Sequence, residues 1–479
     1  MKPHTNRIFS ALFCLVLLVA PLQAKVTLPA VFGDNMVLQQ QRDVNLWGKA
    51  NPGKKVTVKP SWTKAKYTAG VAQDGTWELS LPTPAAGGPY TIEFSDGDKE
   101  KTVLRNVLLG EVWFCSGQSN MEMPIRGFNG QPVAGATDVI VSAKPSTPIR
   151  MCTVQKKASA KPETECICKW EENTPAAVAE ASAVGYFFAQ KLYEALGVPV
   201  GLLISDWGGT PIESWMNRET ISAEFKDEFN LEHLETGVLP EQGAQYIPCT
   251  LFNGQIAPLI PFTFRGMLWY QGESNRDRPA QYTRLQAAYV RMMRELFRNQ
   301  DAPFYYVQIA PYHYSDTDNT WSGYFYEAQQ AALELIPRSG MAATVDIGEY
   351  STIHPCKKKE VGNRLAYLAL AEEYGISMID PHSPTVKSID FKDGKAIITM
   401  DAGNNGLAPR SAWIEGFELA GEDKVFHPAK GKPKNSTVTV VSPEVPEPVA
   451  VRYCFHDWCI GTLYNSFGIP AYPFRSDNW

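Results

Sequence analysis

Two rhythms alternate along the chain. From about Lys25 to Asn106 apolar and polar residues alternate over short runs, as in Val56-Thr57-Val58-Lys59 and Trp77-Glu78-Leu79-Ser80-Leu81. Asn51-Pro52-Gly53, Asp74-Gly75 and Gly87-Gly88-Pro89 punctuate these runs. A period of two bounded by turn residues predicts the short, half-buried strands of a small β-sandwich. The last hundred residues return to this pattern, with strands expected over 397–400, 436–441 and 450–453.

Between these ends the period lengthens. Val184, Phe187, Phe188, Leu192 and Leu196 form a helical stripe that stops at Gly197, and Pro199 precedes an apolar strand over 200–204. A strand over 265–270 leads into a helix carrying Tyr282, Leu285, Tyr289, Met292 and Leu296. Strands over 304–309 and 341–345 flank a helical pattern around 327–335, and a last helix over 358–374 buries Val361, Leu365 and Leu368. Strands alternating with helices imply a parallel sheet with helices on both faces. The expected fold is α/β with β-sandwich-like segments at both ends, divided at 25–106, 107–378 and 379–479.

The residues before this pattern have a different character. Lys2 and Arg7 precede an apolar run over 8–19, and Leu22-Gln23-Ala24 offers small-residue cleavage chemistry, so 1–24 reads as a signal peptide of an exported chain, periplasmic or secreted. Export permits disulfides, and some pairing is expected among Cys115, Cys152, Cys166, Cys168, Cys249, Cys356, Cys454 and Cys459. No other stretch is long and apolar enough to span a bilayer, so no membrane association is expected of the mature form. A formal net charge of -6 argues against a nucleic-acid partner. Cys166-Ile167-Cys168 is too tightly spaced for a zinc knuckle and no His-Glu-x-x-His pair exists, so neither metal nor cofactor is expected.

In open α/β sheets ligands gather at the carboxyl ends of the strands. Four polar, turn-forming clusters fall there: Gly117-Gln118-Ser119-Asn120-Met121, Trp207-Gly208-Gly209-Thr210, Gln271-Gly272-Glu273-Ser274-Asn275, and residues 346–354. Ser119 stands where an apolar strand breaks at a glycine, a setting that displays a nucleophile and equally suits a helix cap. As a nucleophile it needs a base and amide donors for the oxyanion. His354, after the last strand, is the candidate base; the other histidines lie outside these clusters.

Together with Trp269-Tyr270 and Ile353-His354-Pro355, these clusters resemble the sialate O-acetylesterase family of the SGNH hydrolases. The stretches over 28–39 and 473–479 are also similar to that family's termini. The resemblance implies a flavodoxin-like SGNH hydrolase domain with accessory β-structure, and an esterase that removes O-acetyl groups from sugars. It makes Ser119 the nucleophile and His354 the base. The oxyanion hole would combine the N–H groups of Ser119 and Gly209 with a side-chain amide, Gln271 first and Asn275 second.

Relatives of this kind generally carry an aspartate two or three residues before the histidine, where this chain has Thr352 and Ser351. Asp346 and Glu349 in the same loop, Glu273 from the neighbouring strand end, or a backbone carbonyl are the alternative partners for the His354 Nδ1 proton. A Ser-His dyad with a nonstandard orienting group is therefore expected. The expected substrate is an O-acetylated sugar, sialic acid foremost. The alternatives are acetylated xylan or another polysaccharide, or a catalytically silent sugar-binding role. Arg276, Asp277 and Arg278 offer an arginine fork for a sialic-acid carboxylate. Trp207, Trp215, Tyr270, Tyr312 and Trp321 are the aromatics placed to stack on a sugar ring.

Overall fold

One strand of 16 residues, Thr102–Gly117, organises the molecule. In the computed structural model, which describes residues 26–98, 100–314 and 319–479, its first half pairs antiparallel with Gly87–Ser95. Its second half lies parallel to Val200–Asp206 on one side and Gly266–Tyr270 on the other. The strand therefore runs through the boundary expected near 106 and joins the N-terminal β-structure to the helix-covered sheet, giving one 11-stranded mixed sheet. The signal segment expected over 1–24 lies outside the described residues.

Across the parallel part the order is Ser339–Ala342, Phe304–Val307, Gly266–Tyr270, Thr102–Gly117, Val200–Asp206 and Ile149–Thr153, with Trp170–Glu172 antiparallel at the edge. The hydrophobic pattern does not reveal the last two of this spatial order, Ile149–Thr153 and Trp170–Glu172, because they are short and embedded in irregular polar chain. Successive residues of the long strand face opposite ways. Val112 and Phe114 pack with Tyr282, Leu285, Tyr289 and Phe325 of the helices Pro279–Leu296 and Trp321–Leu335. Trp113 and Cys115 pack on the other face with Val184, Phe187, Val361 and Leu365 of the helices Ala183–Leu196 and Lys358–Glu372. The Ser182 side chain caps the first of these by accepting from Gly185 N–H, and Gly197, left-handed at φ 66°, ends it.

Residues beyond 385 form a seven-stranded antiparallel sheet around Ile398, Leu419, Val438 and Tyr453. It docks back on the helix-covered sheet, where Gly461 N–H donates to Val345 O at 3.0 Å and Arg475 Nε donates to Glu327 Oε1 at 2.9 Å. The pairing of cysteines expected from export is not formed among the described residues, where all eight are thiols. Cys115 and Cys249 are buried in separate clusters and cannot meet, whereas the Cys454 and Cys459 sulfurs are 3.0 Å apart. No helix of the described residues is long and apolar enough to cross a membrane.

Candidate active site

The strand ends at Gly117, whose φ of +142° and crowding leave no room for a side chain: a Cβ there would lie 2.1 Å from Tyr270 O. Gln118 N–H donates to Tyr270 O at 2.9 Å, and the chain then turns into the short helix Ser119–Glu122. Gln118 occupies the N-cap position, so the Ser119 hydroxyl is not the helix cap. The first N–H groups of such a helix have no intrahelical acceptors and remain available to a ligand.

Ser119 Oγ lies 2.7 Å from His354 Nε2. His354 Nδ1 lies 2.6 Å from Gln131 Oε1, which can only accept, so the proton sits on Nδ1 and Nε2 is free to take the serine proton. The Phe128 ring packs edge-on to the imidazole with centroids 5.3 Å apart. Burial pushes the His354 pKa down to about 4, the charge of Lys358 acts in the same direction, and Glu122 opposes them. The imidazole is therefore neutral at neutral pH, with Nε2 unprotonated.

None of the three carboxylates expected beside His354 contacts its ring. Asp346 is held by a fork from Arg364, with contacts of 2.7 and 2.6 Å. Glu349 accepts from Cys356 N–H at 2.6 Å, and Glu273 accepts from Asn120 Nδ2 at 2.6 Å. Among the described residues, the Nδ1 side of His354 meets Gln131. The carboxylates brace the loop instead, because Asn120 Nδ2 also donates to Ile353 O at 3.1 Å and Lys358 Nζ donates to Asn120 Oδ1. Lys358 is fully buried, and burial pushes its pKa down to about 7.

The Gly208-Gly209 turn abuts the nucleophile, since a Cβ on Gly208 would sit 3.2 Å from Ser119 Cβ. Gly208 N–H donates to Glu122 Oε2 at 2.6 Å, whereas Gly209 N–H has no protein acceptor among the described residues. The two amides expected to complete an oxyanion hole differ. Both hydrogens of Gln271 Nε2 are engaged, with Thr210 O at 3.2 Å and Asn275 Oδ1 at 2.7 Å. Asn275 Nδ2 donates once, to Glu213 Oε2 at 2.9 Å, and keeps one hydrogen. Of the two, only Asn275 has an unengaged amide hydrogen among the described residues.

Residues 109–370, more than half of the chain, match the family model described as carbohydrate esterase, sialic acid-specific acetylesterase. The chain belongs to this family. It is 28% identical over 424 residues to sialate O-acetylesterase of Mus musculus, covering 78% of each chain. Against the sialate O-acetylesterase of Homo sapiens it is 28% identical over 409 residues, covering 77% of this chain and 75% of the other. A crystal structure of a novel carbohydrate acetylesterase from Xanthomonas citri superposes with a TM-score of 0.85 at 32% identity, covering 95% of this chain and 100% of that one. The chain is accordingly a carboxylic-ester hydrolase, of a family that acts on acetylated sugars.

Around the Ser119 site the expected sugar-facing residues divide. Trp215 and Tyr270 are fully buried and serve packing. Trp207 is half-buried, with Lys156 Nζ 5.9 Å from its ring, and Lys156 pairs with Glu122 Oε1 at 2.6 Å. Tyr312 packs edge-on against Tyr314 with centroids 4.9 Å apart, and Trp321 is about half exposed. Arg276 is tied to Asp457 at 2.8 and 2.9 Å and lies over the Tyr314 ring, while Arg278 is tied to Glu213 at 2.9 Å and faces Asp277 at 3.6 Å. Both arginines of the expected fork thus have carboxylate partners within the protein. Sequence reasoning missed Gln131, Lys358 and the exposed Tyr246 beside Gly209. Nothing marks a neutral glutamine in a polar loop; Asn120, by contrast, follows Ser119 within the motif, and Glu122 stands just after it. Among the described residues no group of three or more His, Cys, Asp or Glu could hold a metal ion.

Proposed function

We propose that the chain hydrolyses acetyl esters of O-acetylated sugars through an acetyl-serine on Ser119, with O-acetylated sialic acid the substrate that its relatives' names support. The observation that carries this reading is the 2.7 Å contact between Ser119 Oγ and His354 Nε2, with the Nδ1 side held by Gln131. Ser119 Oγ attacks the acetyl carbonyl carbon as its proton passes to Nε2. The N–H groups of Ser119 and Gly209 and the remaining hydrogen of Asn275 Nδ2 donate to the developing oxyanion. Collapse expels the sugar oxygen, which takes the proton from Nε2. Water then repeats the sequence on the acetyl-serine and releases acetate.

The parallel strands support a flavodoxin-like SGNH core. With Ile149–Thr153 set aside as an edge addition, Val200–Asp206, Thr102–Gly117, Gly266–Tyr270, Phe304–Val307 and Ser339–Ala342 lie in the order second, first, third, fourth, fifth. On this reading 107–378 is the hydrolase domain, 25–106 and 379–479 are its β-rich flanks, and the leader over 1–24 directs export to the periplasm or beyond.

A second reading, a polysaccharide acetylesterase, is favoured by the commitment of Arg276 and Arg278 to Asp457 and Glu213, which removes the expected partner of a sialic-acid carboxylate. Acetate release from 9-O-acetylated sialic acid and from acetylated xylan, measured side by side with the Ser119→Ala variant, separates them. The first reading expects faster release from the sialic acid, the second from xylan. Failure on both and on a small aryl acetate would leave the silent sugar-binding role.

A further inference from the structure

A cleft of about 1020 Å³ opens on the C-terminal antiparallel sheet, and none of the Ser119 site residues lines it. Along one wall runs the strand Ile414–Ala420, whose pairing with Phe426–Lys434 slips at Glu415-Gly416. Gly416 has a φ of +88°, and a Cβ there would lie 2.8 Å from Cys454 Sγ, so the irregularity depends on a glycine packed against the 454–459 loop. Irregularities of this kind re-aim the side chains around them. Two indoles, Trp413 and Trp458, line the opening, and Trp413 is 53% exposed with Lys432 Nζ 5.3 Å from its ring.

The charges of the cleft favour a neutral ligand. Glu415, Glu418 and Glu444 outnumber Lys430 and His456, and each carboxylate already has a basic partner: Lys430 at 3.6 Å, His456 at 2.7 Å and His427 at 3.1 Å respectively. An anionic chain would meet net negative charge there, whereas indole faces beside polar groups suit the apolar faces and hydroxyls of a pyranose. The cleft also touches the loop that precedes His354. The Trp458 ring meets Tyr350 edge-on at 5.4 Å, Tyr350 stacks on His313 at 4.5 Å, and Tyr350 stands four residues before His354.

We propose that this cleft binds a neutral oligosaccharide segment of the polymer whose acetyl group is removed at Ser119, an inference that rests on the polysaccharide reading above. The cleft holds the chain and the Tyr350 loop connects it to the dyad.

Binding and catalysis can be read separately. The full chain carrying Ser119→Ala is titrated calorimetrically with xylohexaose, cellohexaose and mannohexaose, and with a sialylated oligosaccharide as the anionic comparison. Saturable binding of at least one neutral hexasaccharide is expected, with none of the sialylated one, and addition of Trp413→Ala weakens it about tenfold. In the otherwise unaltered chain, Trp413→Ala leaves kcat/KM for an aryl acetate unchanged and raises KM for the acetylated polymer about tenfold. No binding of any neutral hexasaccharide, binding unaffected by Trp413→Ala, preference for the sialylated ligand, or an equal loss on aryl acetate and polymer would each overturn the assignment. Absence of aryl acetate turnover in the parent chain would count against the esterase mechanism instead, while the titration would still report on the cleft.

Discussion

Replacing Gln131 with alanine isolates the group that orients His354. Its Oε1, 2.6 Å from Nδ1, puts a neutral oxygen where related hydrolases place a carboxylate. As Ser119 attacks, the imidazole becomes imidazolium, and the Nδ1–H to Oε1 hydrogen bond changes from neutral to charge-assisted. A hydrogen bond to a charged group contributes about 1.5–3 kcal/mol, which at about 1.36 kcal/mol per factor of ten is a loss of about 10- to 150-fold in kcat. That is well short of the roughly ten-thousandfold loss that a wrong tautomer causes in an aspartate triad, because alanine leaves Nδ1 without its partner but does not force the opposite tautomer. Gln131→Glu is the companion variant. A carboxylate beside Nδ1 stabilises the imidazolium and raises the His354 pKa above its present value of about 4, so the acid limb of kcat/KM moves to higher pH while turnover above it persists. Steady-state hydrolysis of an aryl acetate across the titration of His354 reads both effects. An alanine variant within about threefold of the parent, together with a glutamate variant whose acid limb does not move, would refute the role of Gln131.

In the unaltered chain, the acid limb of kcat/KM should fall near pH 4 rather than near the usual histidine value, since burial disfavours the imidazolium. Lys358→Met should move that limb upward: below about pH 7 Lys358 is charged and opposes protonation of His354, and methionine removes that charge; a limb that stays put or moves down counts against the coupling. Asn275→Ala should cost about a hundredfold to a thousandfold in kcat with little change in KM, and more than Gln271→Ala, whose amide hydrogens are already engaged; the reverse order would restore Gln271 to the oxyanion hole. Gly208→Ala places a methyl 3.2 Å from Ser119 Cβ, so kcat should fall while thermal unfolding stays close to that of the parent.

The parts of this fold legible from sequence are those whose periodicity is enforced by burial on a known face. The helices Ala183–Leu196 and Pro279–Leu296 and the strand Val200–Asp206 fall where their apolar spacing puts them, because each buries one stripe or both faces. The strand Ile149–Thr153 and the edge strand Trp170–Glu172 are only five and three residues long, too short to leave such a trace. Thr102–Gly117 serves two environments in succession: its mixed part ends at Asn106 and a continuously buried run begins at Val107, and what the pattern does not show is that both lie in one unbroken strand. The Ser119–His354 contact was legible because strand-end turns concentrate polar residues where ligands bind. The Gln131 contact was not, because Gln131 lies 223 positions from His354 and reaches it only through tertiary packing, which no local spacing encodes.

The central claim is that Ser119, activated by His354, carries the acetyl group during turnover. Acid quenching of the chain during hydrolysis of an aryl acetate, followed by peptide mapping by mass spectrometry, should place an acetyl group on Ser119, with the adduct and turnover both lost in Ser119→Ala and greatly reduced in His354→Ala. Acetate release that persists in Ser119→Ala, or an adduct mapped to another residue, would contradict the account.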